Sequence, residues 1–450
     1  MKELIFSFII IMSLMTLNGC NALNNYKKDL NHYEQQFYAD DCHYSDIKDK
    51  IERDPLLWSL NGGALAYHCG DYQKSIEFFD TAEAIFKQQE LELEIKGAER
   101  SVLSILINNN INNYRGENYE KIMMNVYKGL DFMLLDDFDN ARIEFNRALD
   151  RQRRAGEYFQ KEITEAYQEF NRSRVRSEVS MLPNSSSEIT DYEGDITAQS
   201  IYPDFINPFA TYMSGLFFYL DNDYSKASDL FKQTLRMLPN QQQVKRDLNL
   251  IEQNSTKKTH YVWLIYENGQ GMLKQSFTYE FPAYLFTNKV VSAQVSLPTI
   301  EQRSTSYPYL LLNEQKTTEI ANMDSIIQIE FNKKLPAVYT DAMLNMASKV
   351  AIQYYLEDNF AEYGGKWIGL FYQLATDKAD IRQWRTLPKN FQIARTKLAN
   401  QPINIYKPDG SILTTIAPLS TDRDAIIYIK SDIIDHFKVH IIQKNINYHQ

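Results

Sequence analysis

Residues 215–234 read GLFFYLDNDYSKASDLFKQT, and two further stretches align with them without a gap: GALAYHCGDYQKSIEFFDTA from Gly63 and GLDFMLLDDFDNARIEFNRA from Gly129. Nine residues after each glycine stands an aromatic ring: Tyr72, Phe138 and Tyr224. A small residue follows at twelve (Ser75, Ala141, Ala227), phenylalanine at sixteen (Phe79, Phe145, Phe231) and another small residue at nineteen (Ala82, Ala148, Thr234). The polar stretches HCGDY, LDDFD and LDNDY each separate two apolar-periodic runs, which marks a turn between helices. Each copy therefore predicts a helical hairpin in which glycine and the small residues permit close approach and the aromatics fill the groove.

A hairpin with these positions has the signature of a tetratricopeptide repeat (TPR), and Pro239 stands twenty-four residues after Gly215, where such a repeat ends. The usual period is about 34 residues. Here the glycines are 66 and then 86 residues apart, so other helices must intervene. Residues 84–107 read as helical and could supply a degenerate hairpin; residues 151–181 read as one long charged helix. PNSSSEITDYEGD (183–195) and NNNINNYRGEN (108–118) read as polar loops. The expectation is an irregular, compact TPR-like domain over residues 40–255, not a long regular solenoid.

From Thr259 the period changes. HYVWLIYENGQG (260–271) is a β-rich run ending in a turn signal, and SIIQIEF (325–331) alternates like a half-buried strand. Ala337 to Leu356 reads as an amphipathic helix. FQIARTKL, PINIYKPDGSILTTI with its Pro408-Asp409-Gly410 turn, DAIIYIKS and FKVHIIQ then read as strands. These runs divide the second half into an α+β region, 256–384, and a small β-rich module of sandwich or barrel type, 385–447. The fold class expected for the whole is α+β, with TPR-like helical hairpins first and a β-rich C-terminus.

The N-terminus addresses the chain. Leu4 to Leu17 contain no charge and only three hydroxyl groups; this is short of the roughly 20 residues a transmembrane helix needs and fits the core of a signal peptide, residues 1–19. TLNGCN (16–21) resembles a bacterial lipobox, in which Cys20 receives a diacylglycerol and becomes the new N-terminus. Asn18 and a positive flank of Lys2 offset by Glu3 depart from that pattern, and a non-lipidated signal peptide is the alternative. More than one acyl chain on Cys20 would give stable anchoring. Residues 20–39 would then form a membrane-proximal segment, and Asn21 in place of aspartate points to an outer membrane, facing the periplasm.

Three cysteines are present, and assigning Cys20 to lipid leaves Cys42 and Cys69 as an even pair in an oxidising compartment. A disulfide between them would contribute roughly 3 kcal/mol by loop closure; two buried thiols are the other reading. The formal net charge of the 450-residue chain is −10, unchanged by removal of Lys2 and Glu3, which disfavours bulk nucleic-acid binding. A hydrophobic fraction of 44% is ample for packed cores.

Several stretches carry a resemblance beyond generic TPR content: NYRGENYEKIMMNVYKGLDFML (113–134), ARIEFNRALDRQ (141–152), NPFATYMSGLFF (207–218), VWLIYENGQ (262–270) and ADIRQWRTLP (379–388). In this order they resemble a family of TPR-bearing bacterial envelope lipoproteins, often encoded near the small lipoproteins that activate penicillin-binding proteins. The resemblance spans most of the mature chain and implies a setting in cell-wall synthesis or its regulation. It brings no catalytic residues.

Few residues suggest chemistry. His436 and His440 are four apart, but FKVHIIQ reads as strand, so no metal is assigned to them. Asp136, Asp137, Asp139, Asp221 and Asp223 lack the spacing of a calcium loop and read as solvated turn residues. No nucleophile motif or phosphate-binding glycine loop is present. Arg115 in RGEN, and Arg382 and Arg385 flanking Trp384, could clamp a carboxylate or stack on a sugar. Alternatively, Arg382 and Arg385 pair with acidic neighbours and lock the two halves together. The expected function is non-enzymatic and cofactor-free: a lipid-anchored scaffold or adaptor binding a protein partner in the envelope. The alternative is a peptidoglycan-binding or peptidoglycan-acting protein with a cleft between its halves.

Overall fold

The computed structural model describes residues 26–96, 114–172, 207–252, 259–283, 291–335 and 379–445, with 338 and 342. The signal segment with Cys20, the loop 183–195, residues 108–113 and nearly all of 337–356 lie outside the described residues. Helices α1 (26–38), α2 (Ser45–Ile51), α3 (Pro55–His68) and α4 (Tyr72–Lys96) come first. They are followed by α5 (Asn118–Leu134), α6 (Phe138–Arg172), α7 (Pro208–Leu220), α8 (Tyr224–Met237) and α9 (Gln242–Glu252). The three aligned segments fall on the pairs α3–α4, α5–α6 and α7–α8.

Each pair is turned in the same way. The residue seven after the glycine, Gly70, Asp136 or Asn222, has a positive φ of 76°, 61° or 63°. The next residue, Asp71, Asp137 or Asp223, donates its backbone N–H to the carbonyl of Ala66, Phe132 or Phe218 at 2.9, 2.8 and 2.8 Å, ending the first helix in a Schellman motif. That aspartate then caps the second helix, its carboxylate accepting from the backbone N–H of Lys74, Asn140 or Lys226 at 3.2, 3.0 and 3.3 Å. Each cap contributes about 1 kcal/mol. The aspartates Asp137 and Asp223 are thus structural caps, which is more specific than solvated turn residues.

The glycines and phenylalanines of the alignment are in direct contact. A Cβ on Gly63, Gly129 or Gly215 would stand 2.5, 2.9 and 2.9 Å from the ring of Phe79, Phe145 or Phe231. Such separations are below any tolerable van der Waals approach. Consequently α3, α5 and α7 lie flush against their partners on one side, and they are buried along nearly their whole length.

Their other side meets a five-stranded sheet. Its order is β11 (His436–Ile442), β10 (Ala425–Ile433), β1 (Tyr261–Asn268), β7 (Asn390–Lys397), β6 (Thr318–Asn322), with β1 and β10 parallel and the other pairs antiparallel. Alternation sorts the two faces: Trp263, Ile265, Phe391, Ile393, Ile426 and Tyr428 join the helical core, while Val262, Leu264, Ala394, Ile427 and Ile429 face the other way. A second sheet, β5 (Gln315–Lys316), β4 (Leu311–Leu312), β8 (Ile403–Tyr406) and β9 (Ile412–Ile416), covers that other face. Burial on both faces is why β1 and β10 read as continuous apolar runs. β2 (Leu273–Ala283) and β3 (Val291–Glu301) form a separate antiparallel hairpin. The class is α+β, helices first and strands after.

Two sequence expectations are corrected, those for SIIQIEF and for the separate module 385–447, and two others gain detail. SIIQIEF is not a strand but lies within helix α10 (323–335). Its buried residues are Met323, Asp324, Ile326, Ile327 and Glu330, a helical spacing that begins before the quoted window, and Asn322 caps it by accepting from the Ser325 N–H at 2.9 Å. Residues 84–96 are helical as expected, continuing α4, and 151–172 likewise continue α6, while 97–107 and 173–181 lie outside the described residues. Residues 26–38 of the expected membrane-proximal segment form α1, whose Leu30, Tyr33 and Phe37 are buried in the helical core. The segment 385–447 does not close into its own module: β7 and β10 flank β1 from the preceding region, with β11 outside β10, and this joint sheet is buried on both faces of its central strands. Its Lys407–Gly410 turn forms as expected, with Gly410 at φ 83°.

The close approach at Gly63 generates a stability prediction. Gly63→Ala should lower Tm more than Gly215→Ala in thermal denaturation, because its methyl would meet the Phe79 ring at 2.5 Å rather than 2.9 Å. Overpacking of about 1–3 kcal/mol should outweigh the helical gain of alanine over glycine, about 1 kcal/mol. Equal or raised Tm for Gly63→Ala would contradict the packing described.

Candidate functional site

The strap 379–388, ADIRQWRTLP, has no regular secondary structure and threads the seam between helices and sheet. Trp384 is buried with its ring centroid 5.6 Å from that of Phe79 and 5.5 Å from that of Tyr127. Its backbone N–H donates to Glu120 Oε1 at 2.7 Å and its indole N–H to Thr386 Oγ1 at 3.2 Å. Arg382, also buried, donates to Asp54 at 3.0 Å and to both oxygens of Asp380 at 3.0 and 2.8 Å. Asp54 is itself the N-cap of α3. The Arg385 guanidinium lies 3.6 Å from Glu34, which also pairs with Arg303 at 2.8 Å. Arg115 is half-buried two residues before Glu117, the N-cap of α5, and the strap's arginines do not pair with it.

Two further charged groups are buried in the seam. Glu267 of β1 accepts from Tyr127 of α5 at 2.8 Å and from Tyr428 of β10 at 2.7 Å, and it pairs with Lys430, which also lies 3.3 Å from Asp432. At the start of α5, Glu117 pairs with Lys274 and Lys334, while Glu330 of α10 accepts the Asn118 N–H at 2.8 Å and the Tyr119 N–H at 3.2 Å. A carboxylate on a helix N-terminus is favoured by the helix dipole. Lys274 and Lys334 overcome the effect of burial and hold the Glu117 carboxyl well below its usual range. Burial and the neighbouring Glu117 charge instead raise Glu120 to about 7.

Of the arginines singled out by sequence, Arg382 and Arg385 are thus brought together with Trp384 and occupied by this chain's own carboxylates, while Arg115 stands apart from them. Their partners Glu34, Asp54 and Glu120 carried no sequence signal, since they stand more than 200 residues earlier in the chain. Asp136 accepts the Asn445 N–H at 2.9 Å, and Asp221 binds Arg142 at 2.5 Å and Lys444 at 2.6 Å, so these turns also hold the segment that follows β11. Cys42 and Cys69 are joined by a disulfide of 27-residue separation.

Beside that disulfide, Asp40, His68 and His436 meet, while His440 takes a different partner, its Nδ1 standing 2.8 Å from the Tyr72 hydroxyl. Burial works against the Asp40 carboxylate, but hydrogen bonds from Lys438 and His68 outweigh it and hold its pKa at about 2. Burial lowers His68 to about 3 and, with Lys430 and Lys438 nearby, His440 to about 4. The architecture defines an α+β protein whose helices and sheet share one polar, charge-paired seam. Neither protein-family models nor curated proteins give a match to this chain.

Two predictions follow the charges of the seam. Arg382→Met leaves Asp54 and Asp380 without their cation and should destabilise by about 3–5 kcal/mol in urea unfolding; a loss under about 1 kcal/mol would show the pair to be dispensable. Folded Glu120 keeps its proton to about pH 7 against an ordinary value of 4.5. Its stabilising contribution is therefore complete below the unfolded value and is lost as pH rises through the folded one. Relative to Glu120→Gln, the parent should lose up to about 3 kcal/mol over that window, read as a converging or crossing pair of Tm–pH curves; parallel curves would count against it.

Proposed function

We propose that this chain is a lipid-anchored protein of the bacterial envelope, a TPR-type scaffold or adaptor for a protein partner, working in cell-wall synthesis or its regulation. One observation carries the reading: the hairpin geometry recurs three times, with the same glycine-on-phenylalanine contact and the same turn at Gly70, Asp136 and Asn222. Recurrent hairpins that bury one another are what a TPR array consists of. The signal-like residues 1–19 and Cys20 support an anchored location, its partners being other proteins of the same envelope compartment, and the Cys42–Cys69 disulfide agrees with an oxidising one. The likeness to TPR-bearing envelope lipoproteins supports the same setting.

A TPR array ordinarily offers its inner helices to partners. Here the chain's own sheet covers α3, α5 and α7, so on this reading the partner meets the outer helices. Leu91 of α4, Ile143 of α6 and Tyr224 of α8 are exposed there at 58%, 46% and 47%. Paired arginines in the strap favour a structural over a catalytic use of that segment.

Proximity labelling from the protein in its own envelope tests the proposal. Specific neighbours should be recovered and should be lost in Cys20→Ala. Ile143→Glu should lose them with Tm unchanged. A crosslinked pull-down that returns no specific protein would sink the scaffold reading, and unchanged neighbours in Cys20→Ala would sink the anchored one.

A further inference from the structure

Three side chains from distant parts of the chain converge at the rim of the seam. Asp40 closes the turn after α1, His68 is the last residue of α3, and His436 opens β11. Asp40 Oδ1 lies 2.7 Å from His68 Nε2 and 3.2 Å from His436 Nε2, and one ligand atom of each residue lies within 4.8 Å of the others. We propose that Asp40, His68 and His436 bind a divalent transition-metal ion of the zinc type, clipping strand β11 to the disulfide-tied end of the helical layer.

The distances suit such an ion. Ligand atoms bound tetrahedrally at 2.0–2.1 Å stand about 3.3 Å apart. The two Asp40 edges are 2.7 and 3.2 Å and all three ligand atoms lie within 4.8 Å, so binding opens the Asp40–His68 edge and draws the two imidazole nitrogens together. Entry requires Asp40, whose side chain is 41% exposed, and the His436 ring to turn, and water would supply the fourth ligand from the exposed side of Asp40. Two imidazoles and one carboxylate select zinc, nickel or copper over magnesium or calcium, which require oxygen donors.

The ligands are also held in place before any ion arrives. His68 is buried, with its ring 4.2 Å from that of Phe37 and stacked 5.6 Å from that of His436. Its neighbour Cys69 is bonded to Cys42, two residues beyond Asp40, so the backbone carrying two of the three ligands is covalently tied. Asp40 itself sits at φ 54°, in the left-handed turn position where glycine is favoured. A carboxylate occupies that place and points at both imidazoles.

Two features set the strength. Lys438 Nζ lies 2.9 Å from Asp40 Oδ2, which orients Oδ1 toward the imidazoles but opposes a second cation. Neither His68 Nδ1 nor His436 Nδ1 has a hydrogen-bond partner among the described residues, and outer-shell partners of that kind are worth 10–100-fold in affinity. Binding on the order of micromolar is therefore expected rather than the nanomolar binding of a fully supported site.

The test uses the full chain, stripped with chelator and titrated calorimetrically with zinc chloride. One ion per chain should bind, with a rise in Tm, and magnesium should give neither. Asp40→Asn and His436→Ala should each weaken binding at least tenfold, Lys438→Met should strengthen it, and His440→Ala should leave it unchanged. Because Lys438→Met acts in the opposite direction, a folding defect in the ligand variants does not obscure the result. Affinity weaker than about 1 mM, or zinc binding indifferent to both Asp40→Asn and Lys438→Met, overturns the proposal.

Discussion

Helices α3, α5 and α7 have no side that water could cover, and the rest of the molecule is arranged around that constraint. LLWSLNGGALAYH in α3 is buried from Leu56 to His68, and PFATYMSGLFF in α7 from Pro208 to Phe218. A helix apolar on all sides must be enclosed. The outer helices enclose one side, where Gly63, Gly129 and Gly215 let the phenylalanine rings lie against the backbone. The five-stranded sheet encloses the other, with Phe209 of α7 stacked on Phe391 of β7 at 3.6 Å. Once the sheet is fixed there, its far face is apolar too, and the second sheet is needed to cover it. Three layers follow from one set of helices that cannot stand alone.

Such enclosure traps polar groups. A buried charge costs several kcal/mol unless it is paired and hydrogen-bonded, and among the described residues the seam's main charges are held in combination: Arg382 with Asp54 and Asp380, Lys430 with Glu267 and Asp432, Glu117 with two lysines. These contacts join elements that apolar packing alone would leave free to slide. Glu267 is the clearest case, since it accepts hydrogen bonds from α5 and from β10 while standing on β1. The arginines that resemble a ligand clamp in sequence serve here as counter-ions to carboxylates placed far earlier in the chain.

What could be read in advance was what is local. The hairpins announce themselves within twenty residues, because the glycine, the turn and the phenylalanine act on one another at short range. Asp71, Asp137 and Asp223 share position eight of the alignment and could have been recognised as caps on that ground. SIIQIEF resembles a strand because its alternating isoleucines match one until Met323 is included, whereupon the spacing becomes helical. The sheet order was not legible, since β10 pairs with β1 across about 160 residues and no local signal chooses a parallel neighbour at that distance. The convergence of Asp40 with His436, 396 residues apart, is beyond any spacing rule for the same reason.

That separation bears on how the helical layer can be used. In an open array the inner surface is free to take a partner's segment, and affinity comes from ordering that segment. Here the sheet is already held there by Phe391, Tyr428 and the Glu267 pairs, so displacing it would expose its helix-facing apolar side together with the sides of α3, α5 and α7 that it covers. No partner segment of ordinary size replaces that burial. The helices therefore act as a fixed support, and any protein recognised by them must approach the outer helices or the edge at β11, where Asp40 and its neighbours connect the first helix to the last strand.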